Sequence, residues 1–448
     1  MIDIHPSAIE NFNRKAELLI PLLKVMPRQA MEGRPLSNDM PIGVTITDKE
    51  IIGEIKESIG DHKGRTNGRF FSDNGARLGM IGDDYKQLML LAESIQRQPS
   101  IRDKLSQEFI EEALFSWIQG RLQRTLGDSK FSSYLESRFE ESVKSHTMYV
   151  PISSMIVEEE FQVFGVAIHN LTKVMVDELA SVAESVSEGK DKVEKFFERF
   201  RMDYQGRAVI SIQLECEHNH AQAVALGIAK DVTDILGIFS GALLVPDVKS
   251  AARAKGTEHI DQYTVILRSG EGGLNVSSGF LDQASVRHWV ITKSDVKEYK
   301  DIGLDALSSI YLNKSPTAFE SAILSMAYLY SKAAFTADPM EKLICMLSAL
   351  ESMLLKNESE PIQQNLAERM AIISAQQLEK RKSIVKNVRA VYGLRSRYLH
   401  HGHSSSELDQ LSEFFMNVWV FFWNLVSNSK TFSTREEFLS AIDDHKLS

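Results

Sequence analysis

Apolar residues recur at helical spacing along the last third of the chain, from about residue 301 to its end. One stripe follows Asp338-Pro339, an N-cap residue with proline at the first helical position. Its spacing is 4, 3 and 4 residues, and its members are Leu343, Leu347, Leu350 and Leu354. The same pattern predicts helices at about 317–335, 361–375, 377–400 and 404–427. Residues 301–448 are therefore expected to form a compact up-and-down bundle of about four or five helices.

The first 145 residues show a mainly helical pattern that a loop-rich stretch interrupts. Helical periodicity covers residues 7–28 and 84–145. Between them, residues 31–79 hold repeated glycines, and basic side chains such as Lys63 and Arg69 stand among them. We interpret this stretch as a solvated surface segment, and the alternative is a mobile basic loop.

Residues 146–300 change to a mixed pattern of strands and one buried helix. Short strands are predicted at 149–152, 161–168 and 209–214, with a helix at 221–244. Two further strands flank Ser269-Gly270-Glu271-Gly272-Gly273, which is typical of a hairpin turn and lacks the lysine of a phosphate-binding loop. The predicted fold class is α+β and multidomain. It comprises a mainly helical region 1–145, a mixed α/β domain 146–300 and an all-α bundle 301–448.

The segment 414–426 is apolar on nearly all sides when drawn as a helix and includes Trp419 and Trp423. At 13 residues it is shorter than the roughly 20 that a helix needs to span a bilayer, so we expect no membrane association. One face of the helix can fill the bundle core. The other needs a partner, and either the middle domain or a second copy of the chain would serve.

Composition places the chain among ordinary globular proteins, with 43% hydrophobic and 25% charged residues. The formal charge of -10 argues against a protein that coats nucleic acid generally, so any such contact must be local. Cys216 and Cys345 are the only cysteines, which excludes a disulfide framework and fits a reducing cytoplasm. The first residues lack the basic and apolar regions of a secretory signal, so we expect a cytoplasmic protein.

One segment reverses the acidic balance. Residues 380–406 contain no Asp or Glu and seven basic residues, namely Lys380, Arg381, Lys382, Lys386, Arg389, Arg395 and Arg397. We expect a polyanion, RNA, to bind here through Lys382, Lys386 and Arg389. Gly402 is placed to end the helix at 377–400, and Ser404 with Glu407 has the spacing of a capping box for the next helix.

Arg395 and His400 stand near the end of this basic helix with four residues between them. Such a spacing alone is weak evidence, and a pair of cations favoured by the helix dipole is the plain alternative. On an ideal helix the two positions point about 140° apart, so one straight helix cannot aim both at one phosphate. Either the helix loosens near Gly393 or Gly402, or a second subunit completes the site.

Residues 315–428 resemble a HEPN domain, and specifically the Apea-like HEPN group of prokaryotic proteins. The resemblance rests on Leu347-Ser348-Ala349-Leu350-Glu351-Ser352-Met353-Leu354-Leu355. It rests equally on Val391-Tyr392-Gly393-Leu394-Arg395-Ser396-Arg397-Tyr398-Leu399-His400-His401-Gly402. The family signature of arginine, a polar residue and a later histidine corresponds to Arg395, Ser396 and His400. The resemblance covers about a quarter of the chain well.

The resemblance implies an endoribonuclease that needs no metal and no other cofactor and whose two Arg-His pairs meet across a dimer interface. His400 would be the acid and base, since imidazole titrates near neutral pH, and Arg395 would hold the phosphate. Ser396 fills the polar position. Glu351 is a candidate anchor for Arg395, with a solvated helix residue as the alternative. Arg397, His401 and His403 are supporting candidates.

Two other motifs contain residue types that can bind a metal. They are Cys216-Glu217-His218-Asn219-His220 and the three histidines at 400–403. No second pair of ligands follows at the spacing of a structural zinc site, so we predict no metal site.

The first functional hypothesis is an endoribonuclease of the antiphage (abortive infection) or toxin type, with a phage-derived trigger or an antitoxin as a further partner. The alternatives are a non-catalytic HEPN protein that binds RNA or a partner, and a dimerising interaction scaffold.

Overall fold

A computed structural model of the chain describes residues 3–25, 58–60, 65–73, 76–186, 190–257, 262–268, 274–280, 288–357, 359–401 and 407–447. The chain divides into two compact units. The first comprises residues 1–146 and 213–224, and the second comprises residues 147–212 and 225–448. The predicted domain boundary between residues 300 and 301 lies inside the second unit.

The described residues form a mixed α+β structure in which helices predominate. The helices are α1 Pro6–Glu17, α2 Gly82–Gln96, α3 Gln107–Leu122, α4 Phe131–Ser142, α5 Lys173–Val186, α6 Lys190–Tyr204, α7 His218–Leu236, α8 Lys293–Ile302, α9 Leu304–Leu312, α10 Ala318–Ser331, α11 Pro339–Leu354, α12 Ile362–Ser374, α13 Leu378–His401, α14 Leu408–Ser427 and α15 Arg435–Leu447. The strands are β1 Lys24–Val25, β2 Ser58–Gly60, β3 Thr66–Asp73, β4 Ala76–Ile81, β5 Lys144–Pro151, β6 Met155–Val157, β7 Phe161–Val163, β8 Val166–Asn170, β9 Ala208–Cys216, β10 Gln262–Arg268, β11 Leu274–Phe280 and β12 Trp289–Ile291. Short 3-10 helices lie at Ile20–Leu22, Gly237–Phe239, Gly241–Leu243 and Lys332–Phe335.

The first unit packs α1 to α4 around a core that includes the fully buried Tyr85 and Trp117. An antiparallel sheet of order β1-β4-β3-β2 joins these helices. The prediction of a loop-rich stretch at 31–79 is wrong for β3 and β4, which pair as a hairpin. The glycines in these strands are typical of loops, so the sequence pattern did not predict the strands. At Gly79, however, a Cβ would lie 2.5 Å from the carbonyl oxygen of Arg69, so the close strand approach requires glycine.

In the α/β part of the chain, the strand predicted at 161–168 is two strands, β7 and β8, joined by Phe164 and Gly165 at positive φ. They belong to a sheet of order β5-β9-β8-β7, while β6 pairs with β12 in parallel. The predicted hairpin is confirmed by the antiparallel pairing of β10 and β11. Its turn, residues 269–273, lies outside the described residues.

The C-terminal part is helical throughout the described residues, as the periodicity predicts. Leu343, Leu347, Leu350 and Leu354 are all fully buried. The predicted cap is confirmed, since the Asp338 carboxylate accepts from the backbone N–H groups of Met340 and Glu341 at 2.8 and 2.9 Å. Residues 402–406, which include Gly402 and Ser404, lie outside the described residues, and α14 begins at Leu408.

The aromatic helix α14 packs against other residues of the second unit. Phe414, Phe421 and Phe422 are fully buried. On another side of α14, the Trp423 ring lies 4.8 Å from the Phe239 ring and 3.0 Å from the position of a Cβ at Gly303. Of the two partners considered for this helix, the predicted middle domain supplies Phe239, while Gly303 belongs to the predicted bundle itself.

Candidate functional site

The predicted site residues stand on α13, a single helix that runs from Leu378 to His401. Lys382, Lys386, Arg389, Gly393, Ser396 and His400 follow one another at intervals of 4, 3, 4, 3 and 4 residues. These intervals keep all six on one side of a helix, and Lys382 and His400 are about five full turns apart. The five side chains of this stripe are exposed. We call the stripe the basic face of α13.

Arg395 lies on the opposite side of α13, toward α11. Its Nη1 atom is 3.3 Å from Oε1 of Glu351, and the Tyr392 hydroxyl donates to the same oxygen at 2.8 Å. The guanidinium carbon lies 5.9 Å from the centre of the Tyr392 ring. Burial raises the pKa of Tyr392, and the negative charge of Glu351 raises it further, so the hydroxyl stays a donor. Glu351 thus occupies the anchoring position beside Arg395.

The Arg395 side chain retains unused donor capacity. Its Nε atom is buried and has no hydrogen-bond partner among the described residues. A buried N–H without a partner costs about 1–3 kcal/mol, so a new acceptor at this edge would be favourable. The side chain as a whole is 29% exposed, which leaves part of the guanidinium open to a phosphate or a second chain.

Arg395 and His400 do not meet within one chain in the part that the structure describes. No hydrogen bond joins them, and the helix continues without a break through Gly393. The predicted loosening near Gly393 therefore does not occur. Gly402 lies outside the described residues. The two routes that stay open are loosening near Gly402 and completion of the site by a second copy of the chain.

The supporting candidates spread around the end of α13. The Arg397 guanidinium lies 3.3 Å from Oε1 of Glu407, and both side chains are well exposed. The rings of His400 and His401 are 6.4 Å apart at 61°, and both residues are exposed. His403 lies outside the described residues.

A cleft of about 620 Å³ opens beside the first half of α13, between α12 and α15. We call it the basic cleft. Its lining residues are Glu368, Ala371, Ile372, Leu378, Arg381, Lys382, Val385, Lys386, Arg389 and Lys446. The three predicted RNA-binding residues all belong to this set. Sequence reasoning missed Glu368, Ile372 and Lys446, because no local pattern indicates that α12 and α15 flank this side of α13.

The cationic side chains of the basic cleft differ in whether they already form ion pairs or hydrogen bonds within the protein. Lys382 pairs with Glu379 at 2.8 Å, and Lys446 pairs with Glu368 at 3.2 Å. Arg381 donates from Nε to the carbonyl oxygen of Ala375 at 2.8 Å. Lys386 forms no ion pair with any described residue. With five cations against one carboxylate in the lining, the cleft favours an anion despite the acidic chain.

Glu368 remains ionised in this setting. Burial raises the pKa of its carboxyl group. Hydrogen bonds from Gln364 and Lys446 and the charges of Lys446 and Arg389 outweigh this effect, so the pKa is lowered overall. The cleft therefore combines a cationic rim with one fixed acceptor.

The residues from Cys216 to His220 act as a helix start. The Glu217 carboxylate accepts from the backbone N–H groups of Asn219 and His220 at 2.6 and 3.0 Å, and Cys216 is buried. Both Cys216 and Cys345 are free thiols. Among the residues that the structure describes, no group of three His, Cys, Asp or Glu side chains is arranged to hold a metal ion.

No known protein family, curated protein or solved structure matches this chain. No helix within the described ranges is long and apolar enough to cross a membrane.

Proposed function

We propose that this protein is a HEPN-type endoribonuclease that binds RNA along the basic face of α13 and cleaves it as a homodimer. One observation carries the proposal: His400 stands on the same exposed face as Lys382, Lys386 and Arg389. A strand held by the basic cleft can therefore run along α13 to an exposed histidine, the side-chain type best suited to acid and base chemistry. We further propose a role in antiphage defence or as a toxin in the cytoplasm, with a phage-derived trigger or an antitoxin as regulator.

The chemistry uses the nucleophile that RNA carries. The 2′-oxygen attacks the adjacent phosphorus while His400 accepts the hydroxyl proton, and the bond to the 5′-oxygen breaks as that oxygen takes a proton from water. The products are a 2′,3′-cyclic phosphate and a 5′-hydroxyl end. Arg395 stabilises the charge that develops on the phosphate. Because the two side chains lie on different sides of α13, one copy supplies His400 and the other supplies Arg395.

A non-catalytic RNA-binding protein is the second candidate, and one observation favours it. Arg395 already pairs with Glu351 and lies against Tyr392, an arrangement that a purely structural arginine would also show. In that case the basic face binds RNA, and His400 contributes no chemistry.

Incubation of the purified full chain with total RNA in the presence of EDTA separates the two candidates. His400→Ala is compared with His288→Ala, which removes another exposed histidine far along the sequence. The ribonuclease proposal predicts cleavage by the parent and by His288→Ala, and a loss of about 100-fold or more in His400→Ala. Binding without cleavage in all three proteins would support the non-catalytic candidate.

A further inference from the structure

The basic cleft has an apolar floor that phosphate binding alone does not explain. Ala371 and Ile372 line it from α12, and Leu378 and Val385 line it from α13. Leu378 is 64% exposed, so a large apolar side chain stands open at the rim. The volume of about 620 Å³ falls in the range of pockets that enclose small organic groups.

Cations surround this floor, so the matching ligand has a flat apolar body attached to a negatively charged backbone. A nucleotide has both parts. An A-form duplex keeps its bases stacked inside and presents mainly phosphates and 2′-hydroxyls, which would leave the floor uncovered. A single strand can turn a base outward and bury its face against aliphatic side chains.

We infer that the basic cleft binds one unstacked base of single-stranded RNA, while Lys386 and Arg389 hold the flanking phosphates. The inference rests on the proposed function and adds a base-binding subsite, lined by α12, α13 and Lys446 of α15, that lies apart from His400 and needs an unpaired base. Lys386 carries this role best, because no ion pair with a described residue competes for its ammonium group.

Glu368 gives the cleft a preference among bases. It is the only carboxylate among the described residues that line the cleft, and it accepts hydrogen bonds from Gln364 and Lys446 at 3.0 and 3.2 Å. An ionised carboxylate has about four acceptor positions, so about two remain for a base edge. Exocyclic amino groups of adenine, cytosine and guanine can donate there. Uracil lacks such a group, so the cleft favours the other three bases.

The cleft also fixes a distance to the proposed cut. About 21 Å of helix axis separates Lys386 from His400. At the stacked spacing of about 3.4 Å per nucleotide, a strand covers this distance with about six nucleotides. Base binding and cleavage therefore fall at different positions of one strand.

Fluorescence anisotropy with labelled RNA tests the inference on the full chain, in the His400→Ala background so that the RNA stays intact. The probes are oligoadenylate and oligouridylate of about ten nucleotides and the duplex that they form. Leu378→Ser removes the exposed apolar side chain at the first residue of α13. Val182→Ser on α5 is the control, since Val182 is also 64% exposed.

Oligoadenylate should bind more tightly than the duplex, and Leu378→Ser should weaken oligoadenylate binding about tenfold while Val182→Ser leaves it unchanged. Glu368→Gln should narrow the preference for oligoadenylate over oligouridylate. Equal affinity for duplex and single strand, or unchanged binding in Leu378→Ser, would overturn the inference and leave the ribonuclease proposal standing. Failure to bind any of the three RNAs would overturn both.

Discussion

Lys342 shows how a single charged residue can hold a segment that lacks regular structure. Its side chain on α11 is fully buried, and Nζ donates to the carbonyl oxygens of Ala242, Val245 and Val248 at 2.6, 2.7 and 2.7 Å. Burial lowers the pKa of Lys342 to about 8, and the charge of Asp247 opposes this effect. Ala242 lies in the 3-10 helix Gly241–Leu243, and Val245 and Val248 follow it, so the ammonium group supplies donors that a continuing helix would otherwise provide.

Replacing Lys342 by methionine should lower the free energy of unfolding by about 3 kcal/mol, because one buried and two part-buried carbonyl groups lose their donor. Methionine preserves most of the aliphatic volume, so the effect reports on the hydrogen bonds. Lys332→Met, at an exposed lysine, should change the value by less than about 0.5 kcal/mol. Urea denaturation of the two variants checks this, and equal stabilities would contradict the role of Lys342.

At the scale of elements, α13 shows what sequence patterns can and cannot predict. Periodicity predicted the helix within a few residues, because Ile384, Val388 and Val391 mark its buried side. Charge predicted Lys382, Lys386 and Arg389 as one group. The position of Arg395 on the opposite side of α13 also follows from helical geometry. The basic cleft cannot be predicted in this way, because it depends on which helices pack beside α13. That choice is made by tertiary contacts that no local pattern contains.

The basic face should give RNA binding a salt dependence that single substitutions reduce. Lys386→Ala and Arg389→Ala should each lower the slope of log K against log salt by about 0.7, since each removes one phosphate contact with a single strand. Lys430→Ala removes an equally charged residue that pairs with Glu320 away from α13. It should leave the slope unchanged. Anisotropy titrations over a range of salt concentrations measure the slopes. Identical slopes in all variants would show that RNA does not bind to this face.

A network of charges attaches α15 to the rest of the bundle. Arg369 on α12 is 3% exposed and pairs with Glu360 and Asp443, each at 2.9 Å. Arg369 also donates to the carbonyl oxygen of Leu354 at 2.6 Å. Hydrogen bonding by Arg369 lowers the pKa of Asp443 and of Glu360, although burial acts in the opposite direction. Lys446 of the basic cleft stands on α15, so this network also positions the cleft.

Because the pKa of Asp443 is lowered in the folded state, the free energy of unfolding should fall at acidic pH. Its value in the folded state lies below the unfolded value of about 3.9, so the unfolded chain binds the proton first as pH falls. This stabilisation is complete above the unfolded pKa and is lost as pH falls through the folded pKa. Asp443→Asn should lower the free energy of unfolding by about 2 kcal/mol at neutral pH and flatten its decline in acid. Denaturation between about pH 3 and pH 7 measures both effects. Parallel curves for parent and variant would contradict them.

At the scale of the whole molecule, the α+β class and the helical C-terminal part could be predicted from the sequence, while the hairpin of β3 and β4 could not. Its glycines resemble loop signals, yet Gly79 is required by the close approach of the strands. The burial of α14 shows a related limit. An apolar helix indicates that a partner exists, but Phe239 and Gly303 are identified only by the folded chain.

The proposed homodimer makes a prediction that one chain alone cannot satisfy. If one copy supplies His400 and the other supplies Arg395, then Arg395→Ala and His400→Ala are each inactive, but their mixed dimer contains one intact site. Random exchange makes about half of the dimers mixed, and each has one of two sites, so a mixture regains about a quarter of the parent activity. Co-refolding equal amounts of the two variants and measuring RNA cleavage in EDTA checks this. The prediction would be contradicted if the parent cleaves RNA and the mixture is as inactive as its two components. Arg395 and His400 would then act within one chain, or Arg395 would take no part in the chemistry.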